Sequence, residues 1–173
     1  MRSSSNVRLF IALWPTDGVR SHVHEWQSQW QWPEKASVVA PERLHVTLHF
    51  LGEVPAERIL DLKYVLQPIR AQQFELHFVR SEMWPHGVAV MRPVHSPMPL
   101  RGLHGRIGLA LASIKMTPQD RPFRPHVTLA RRAAGALPPP HPPDVTWAAH
   151  DGFALVQTVP GGRGYEILGR FGS

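Results

Sequence analysis

The tetrapeptide His-Val-Thr-Leu occurs twice in the chain, at residues 45–48 and at 126–129, 81 positions apart. Successive side chains of an extended strand point to opposite faces, so the histidine and threonine of each copy share one face and the valine and leucine share the other. Each copy therefore predicts a strand with an apolar side on a core and a polar side that offers an imidazole and a hydroxyl. The polar pairs are His45 with Thr47 and His126 with Thr128.

The first half of the chain predicts the order strand, helix, motif strand, helix. Residues 7–13 form an apolar run typical of a strand, and Thr16 or Asp17 is placed to cap the helix that follows. Gly52 is expected to end the strand of the first motif, and Pro55 to open the second helix. The expected buried stripes of these helices are Val19, Val23, Trp26 and Trp30, then Ile59, Leu62, Leu66 and Ile69.

The second half predicts a similar order, with a helix over 99–114 before the second motif strand and a proline-rich loop over 136–144. The fold class is α+β. We interpret residues 1–173 as a single domain with two pseudo-symmetric lobes, roughly 1–80 and 81–173, whose paired motif strands would bring both His-Thr pairs to one central groove. The remaining strands are expected at 74–81, 87–91, 153–158 and 165–168.

Composition limits the kinds of site, location and ligand that the chain can have. The 173 residues include no cysteine, which excludes disulfides, thiolate nucleophiles and cysteine zinc sites. No apolar run approaches the roughly 20 residues of a membrane span, so we expect no membrane association and a cytoplasmic protein. The net charge of +6 comes mostly from arginine, whose planar fork fits phosphate oxygens. Because the basic residues are scattered, this charge favours a phosphate or nucleic-acid ligand only modestly.

Two histidines facing one groove suit the hydrolysis of a phosphodiester. A neutral imidazole can take a proton from attacking water, and an imidazolium on the opposite side can protonate the departing oxygen. The threonine hydroxyls can donate hydrogen bonds to the non-bridging oxygens. The residues alone do not decide which histidine is the acid. A single His-x-Thr would be interpreted as an ordinary pair on the solvent face of a strand. The phosphodiesterase hypothesis therefore rests on the repetition of the motif.

A metal site is disfavoured, and no cofactor is expected. His45 and His49 are four residues apart on a strand, which separates them by roughly 13 Å, too far for one ion. His22 and His24 would lie about 200° apart around a helix. No Asp or Glu stands at ligand spacing beside either motif.

The stretches PERLHVTLHFLGEV and RPFRPHVTLARR, with VRLFIAL near the start and FALVQT and YEIL near the end, resemble the 2H phosphoesterase superfamily. They are most similar to its RNA 2′,3′-cyclic phosphodiesterases, also called 2′-5′ RNA ligases. The resemblance implies a bilobal fold of two antiparallel sheets flanked by helices, with a groove between them. It also implies metal-independent hydrolysis of a terminal 2′,3′-cyclic phosphate to a 2′-phosphomonoester, and a weaker reverse reaction that joins RNA by a 2′-5′ bond.

The resemblance further implies that His45 is the proton donor and His126 the acceptor. Arg131 and Arg124 are candidate phosphate ligands. His49 is expected on the face of His45, where it would line the groove. Phe50 is a candidate for stacking on a base, although its parity with Leu48 favours the core.

The expected partners are RNA with 2′,3′-cyclic phosphate ends, tRNA halves among them, or nucleotide-sized cyclic phosphates, bound by a monomer. Two alternatives stay open: a phosphodiesterase for a small cyclic nucleotide, and a non-catalytic module that binds RNA ends.

Overall fold

The computed structural model describes residues 5–118 and 120–173, which form nine strands and three α-helices. The α+β class is confirmed. The helices are α1 (Asp17–Gln27), α2 (Ile59–Leu66) and α3 (Met98–Ser113). The strands are β1 (Asn6–Leu13), β2 (Ser37–Val38), β3 (Val46–Pro55), β4 (Phe74–Trp84), β5 (Val88–Pro93), β6 (Val127–Arg131), β7 (Val145–Ala149), β8 (Phe153–Thr158) and β9 (Tyr165–Phe171).

The strands pair antiparallel in the order β7-β4-β5-β6-β3-β1-β8-β9, and β2 adds to β6. The two motif strands, β3 and β6, meet at the centre through the pair Val46 and Val127. On one side of this pair lie β3, β1, β8 and β9, and on the other lie β6, β5, β4 and β7. The sheet therefore has two halves that join where the motifs stand.

The sequence β1-α1-β3 recurs 81 residues later as β5-α3-β6. The repeats nevertheless exchange strands: β4 is the strand after β3 in the chain but pairs with β5, and β8, which comes after β6 and β7, pairs with β1. Each half of the sheet therefore contains strands from both repeats. The single domain with lobes of 1–80 and 81–173 stays a prediction; in the sheet, strands from both sides of residue 80 share each half.

The helices pack against one face of the sheet, where the main core lies. Apolar side chains of all three helices meet the buried side chains of the strands there, including Val46, Leu48, Val127 and Leu129 of the motifs. The opposite face carries a smaller apolar cluster around Phe10, and we call it the groove face. None of the helices in residues 5–118 and 120–173 has the length and apolar character needed to cross a membrane.

Several element boundaries follow from local chemistry. Thr16 caps α1 as predicted, since its side chain accepts a hydrogen bond from the amide of Val19 at 3.3 Å. The prediction that Gly52 ends β3 is wrong, because Gly52 lies at a β-bulge with a φ of 72° and the strand continues to Pro55. Trp30 lies beyond the end of α1, yet it is buried as predicted.

Candidate active site

The four motif side chains come together around the central valine pair. The antiparallel register, continued one residue each way from Val46 and Val127, sets His45 across from Thr128 and Thr47 across from His126. All four are partly exposed, whereas the motif valines and leucines are buried. The structure therefore brings the predicted His-Thr pairs into one groove. The pairs are His45 with Thr47 and His126 with Thr128.

The same backbone hydrogen bond orients both histidines. Nδ1 of His45 donates to the carbonyl oxygen of Arg43 at 2.6 Å, and Nδ1 of His126 donates to that of Arg124 at 2.7 Å. Because a carbonyl only accepts, the proton of the neutral ring is on Nδ1, and Nε2 is the nitrogen available for proton exchange. Nε2 of His45 accepts from the Thr47 hydroxyl at 3.0 Å.

A β-bulge directly after the first motif changes which side chains face the groove. Thr47 and His49 pair with consecutive residues of β1, so Leu48 is an extra residue in β3. His49 consequently turns away from the groove face, and its Nε2 donates to the carbonyl oxygen of His104 at 2.9 Å. Phe50 returns to the groove face. The prediction that His49 shares the face of Thr47 is therefore wrong, as is the parity that placed Phe50 in the core.

A second bulge stands at the equivalent place in β6. Thr128 and Ala130 pair with consecutive residues of β5, so Leu129 is the extra residue. Ala130 is fully buried, and Arg131 comes to the groove face. Its positive charge helps to lower the pKa of both motif histidines. The bulge thus explains how Arg131, which simple alternation would send to the other face, reaches the groove.

A buried glutamine holds the second bulge. The side-chain amide of Gln27, which is 1% exposed, donates to the carbonyl oxygens of Leu129 at 2.8 Å and Val39 at 3.0 Å. The carbonyl oxygen of Leu129 also accepts from the backbone amide of Val39 at 2.9 Å. Gln27 could not be singled out from the sequence, since nothing in the apolar stripe of α1 distinguishes it from an exposed glutamine.

The surroundings of His45 are aromatic. Its ring stacks against Phe10 at 4.8 Å and Trp14 at 5.6 Å between centroids, and the edge of Tyr165 lies 5.5 Å away. Burial among these rings lowers the pKa of His45 to about 4, and the charge of Arg131 contributes. His45 is therefore neutral at pH 7 when no anion is bound beside it.

The surroundings of His126 are cationic. Its ring lies 4.4 Å from Trp84, and the guanidinium of Arg124 lies 4.8 Å above the same tryptophan. Burial lowers the pKa of His126, and the charges of Arg92, Arg131 and Arg124 lower it further. The two halves of the groove thus place equivalent histidines in chemically different settings.

One carboxylate organises the cationic side. Glu82 accepts a hydrogen bond from Nε1 of Trp84 at 2.6 Å, and its carboxylate lies 3.5 Å from Arg92 and 3.8 Å from Arg124. The hydrogen bond from Trp84 and the neighbouring arginines lower the pKa of Glu82. Glu82 therefore fixes the tryptophan beside the histidine and partly balances the arginines.

The 81-residue spacing of the motifs also relates other residues around the two histidines. Trp84 and Tyr165 are 81 positions apart, and each contacts the histidine of the other repeat, His126 and His45 respectively. The two arginines whose carbonyl oxygens hold the histidines stand at the same spacing. Extending the 81-residue comparison beyond the tetrapeptide would have found Trp84, Tyr165 and Arg43; Arg124 was already a predicted phosphate ligand.

A pocket of about 790 Å³ adjoins the groove, between β3, α3 and the segment that precedes β6. Thr47 and His126 line it from the groove. His49, His104 and Gly108 line it from the helix side, so His49 reaches this pocket although it does not share the face of His45.

The groove contains two groups that can exchange a proton, His45 and His126. The two histidines lie on either side of the central valine pair, each across from the threonine of the other motif, and the charge of Arg131 acts on both rings. These are the groups that an in-line displacement at phosphorus requires. Within residues 5–118 and 120–173, no three His, Asp or Glu side chains converge as metal ligands do; metal independence stays a prediction.

Comparisons with known proteins agree with this geometry. The model of the LigT-like phosphoesterase family matches residues 13–95. The RNA 2′,3′-cyclic phosphodiesterase of Escherichia coli K12 is 32% identical over 82% of this chain and 80% of its own. The protein of the same name from Thermus thermophilus is 31% identical over 95% of this chain and 89% of its own.

The crystal structure of E. coli LigT complexed with 3′-AMP superimposes with a TM-score of 0.84 and 31% identity, over 96% of this chain and 97% of the other. Sequence and structural similarity therefore extend together over most of the chain, well beyond the two motifs. The chain belongs to the LigT-like phosphoesterases of the 2H superfamily.

Proposed function

We propose that this protein hydrolyses the 2′,3′-cyclic phosphate at an RNA end to a 2′-phosphomonoester. The observation that carries the proposal is the pair of histidines, His45 and His126, held by the same backbone hydrogen bond on either side of one groove. Two relatives that share more than 30% of their residues with this chain are named RNA 2′,3′-cyclic phosphodiesterases, which supports the choice of substrate.

His126 is the better base. In the proposed step its Nε2 takes a proton from water as the water oxygen attacks phosphorus, and the bond from phosphorus to the 3′ oxygen breaks. Burial is the main cause that lowers the pKa of this ring, and the charges of Arg92, Arg131 and Arg124 lower it further, so both favour the neutral form that accepts a proton.

His45 is the better acid once substrate is bound. Burial is the main cause of its low pKa. A bound phosphate anion beside the ring would stabilise the protonated imidazole and so raise that pKa. The protonated ring then gives its Nε2 proton to the departing 3′ oxygen. Thr47 and Thr128 would donate hydrogen bonds to the non-bridging oxygens, and Arg131 would pair with their charge.

Other groove residues serve the RNA in this proposal. Arg124 is a phosphate ligand on the side of His126, and Phe50 offers a ring on the groove face for base stacking. We infer a monomer that needs no cofactor and acts in the cytoplasm on RNA ends, tRNA halves among them.

The test is incubation with an oligoribonucleotide that ends in a 2′,3′-cyclic phosphate, with and without EDTA. We expect a 2′-phosphate product at equal rates in both samples. Faster turnover of a cyclic mononucleotide than of the oligonucleotide would favour the small-substrate alternative. Tight binding that leaves the cyclic phosphate intact would identify a binding module and refute the proposal.

A further inference from the structure

Two arginines whose side chains the proposed reaction does not use, Arg43 and Arg163, lie on the His45 side of the groove. The guanidinium of Arg43 is 5.9 Å above the ring of Tyr165, and the edge of that ring faces His45. A guanidinium N–H of Arg43 also donates to the carbonyl oxygen of Gly162. This contact holds the loop of residues 159–164 against Arg43, and Arg163 is the next residue of the loop.

The chain does not balance the charge of these two arginines. Within residues 5–118 and 120–173, carboxylates lie within 4 Å of several other arginines but of neither Arg43 nor Arg163. In the same part of the chain, the buried Nε of Arg43 has no hydrogen-bond partner. A partly buried cation without a counter-ion is costly, so this place favours a bound anion.

The His126 side of the groove has the opposite balance. Arg124 also lies over an aromatic ring there, but the carboxylate of Glu82 is 3.8 Å from its guanidinium. Glu82 precedes that ring by two residues, and Arg163 precedes the ring beneath Arg43 by two residues. One side therefore pairs its arginine with a carboxylate, whereas the other adds a second arginine.

The proposed reaction places the nucleoside of the substrate on the His45 side. His45 protonates the departing 3′ oxygen, so the ribose that carries this oxygen lies on that side of the phosphorus, opposite the attacking water. In an RNA, the 5′ oxygen of the same ribose bears the preceding phosphate. We therefore expect this phosphate on the His45 side, where Tyr165 lies between His45 and the guanidinium of Arg43.

We propose that Arg43 and Arg163 bind the phosphate on the 5′ side of the terminal nucleotide, and that they make RNA chains better substrates than cyclic mononucleosides. The inference rests on the proposed function and names a second part of the substrate that the protein recognises. Guanidinium groups suit this role because their planar N–H groups match two phosphate oxygens. The rings of Trp14 and Tyr165 beside His45 add the aromatic surface that sites for single-stranded nucleic acid combine with cations.

The experiment compares three substrates that share one reacting group. They are uridine 2′,3′-cyclic phosphate with a free 5′-hydroxyl, the same compound with a 5′-phosphate, and the dinucleotide UpU with a terminal 2′,3′-cyclic phosphate. Chromatography of the hydrolysed products gives kcat/KM for each. For the native chain we expect both substrates with a second phosphate to exceed the 5′-hydroxyl compound by about tenfold or more, as for a hydrogen bond to a charged group. This preference should shrink at high salt, which screens partly exposed charges.

Arg43→Gln should lower kcat/KM about tenfold for the two substrates with a second phosphate, and Arg163→Gln, at an exposed position, about threefold. Both variants should keep the native value for the 5′-hydroxyl compound. Arg43→Lys retains a positive charge and should keep most of the preference. Arg101→Gln, which removes an exposed charge from α3, is the matched control and should give native values for all three substrates. Arg163→Gln alters only the exposed loop, so it tests the site if Arg43→Gln fails to fold.

The outcomes separate the two proposals. Equal kcat/KM for the three substrates in the native protein overturns this inference and leaves the proposed function standing. An unchanged preference in folded Arg43→Gln, or in Arg163→Gln if only that variant folds, overturns it as well, as does a loss of equal size for all three substrates. A gain from the 5′-phosphate without one for the dinucleotide overturns the assignment to RNA. Absence of hydrolysis of all three substrates by the native protein overturns the proposed function and this inference with it.

Discussion

Phe50 and Arg131 occupy equivalent positions in the two motif strands, 81 residues apart, and each follows a bulged leucine by two residues. Both bulges return these side chains to the groove face, where strict alternation would not place them. One position of the repeat therefore presents an aromatic ring on one side of the groove and a guanidinium on the other.

Replacing Arg131 by glutamine should reduce kcat/KM by about 10- to 150-fold, since a hydrogen bond to a charged group contributes roughly 1.5–3 kcal/mol. It should also move the acidic limb of the pH profile of kcat/KM to higher pH. Arg131 lowers the pKa of His126, so its loss lets that pKa rise, and the neutral base then forms only at higher pH. Arg170→Gln removes an exposed charge from β9 and should change neither quantity. An acidic limb that stays in place or moves to lower pH would contradict the assignment.

Replacing either motif histidine by alanine should lower kcat by roughly 10²- to 10⁴-fold. The double variant of His45 and His126 should lose little more than the worse single variant, because the two groups act in one step. Steady-state kinetics on a cyclic-phosphate oligonucleotide measures this, with circular dichroism to verify folding. His77→Ala, at an exposed histidine paired with Asp144, should keep native activity. Near-native turnover by either single variant would refute the mechanism.

Thr47→Val and Thr128→Val keep the shape of the side chain and remove the hydroxyl. Each should lower kcat by about 10²- to 10³-fold, the usual loss when one donor to a developing charge is removed. Serine at the same positions restores a hydroxyl and should recover most of the rate. If valine and serine variants have equal rates, the hydroxyls do not stabilise the transition state.

Gln27→Leu should destabilise the fold by about 1–3 kcal/mol, because it removes an amide donor from buried carbonyl oxygens at the second bulge. Urea unfolding followed by fluorescence gives the free energy of unfolding. Gln29→Leu is the control, since its exposed side chain bonds to the nearby carbonyl oxygen of Glu25. Equal stability of the two variants would show that Gln27 does not hold the bulge.

The sequence predicted the elements whose pattern is local. Thr16 as a cap, the apolar stripes of α1 and α2, and the inward valines and leucines of the motifs all follow from period and capping chemistry. The family and the α+β class could be predicted because the motif pair is specific. Strand β7 was missed, since VTWAA is short and follows a proline-rich loop.

The remaining errors concern features that depend on pairing between distant strands. A bulge appears only when two strands are aligned, so the faces of His49 and Phe50 could not be predicted from alternation within β3. Strand exchange between the repeats is likewise a property of the sheet order. This exchange places Trp84 beside His126, and it puts strands from both sides of residue 80 into each half of the sheet.

That exchange also bears on how such a groove can arise. Two identical chains of about half this length, each lending one strand to the other, would form the six central strands of this sheet as an intertwined symmetric dimer, with an identical setting for both histidines. The short connection from Trp84 to Val88 makes the two copies one polypeptide. Only then can each copy diverge alone, so that one histidine gains aromatic neighbours and the other gains arginines.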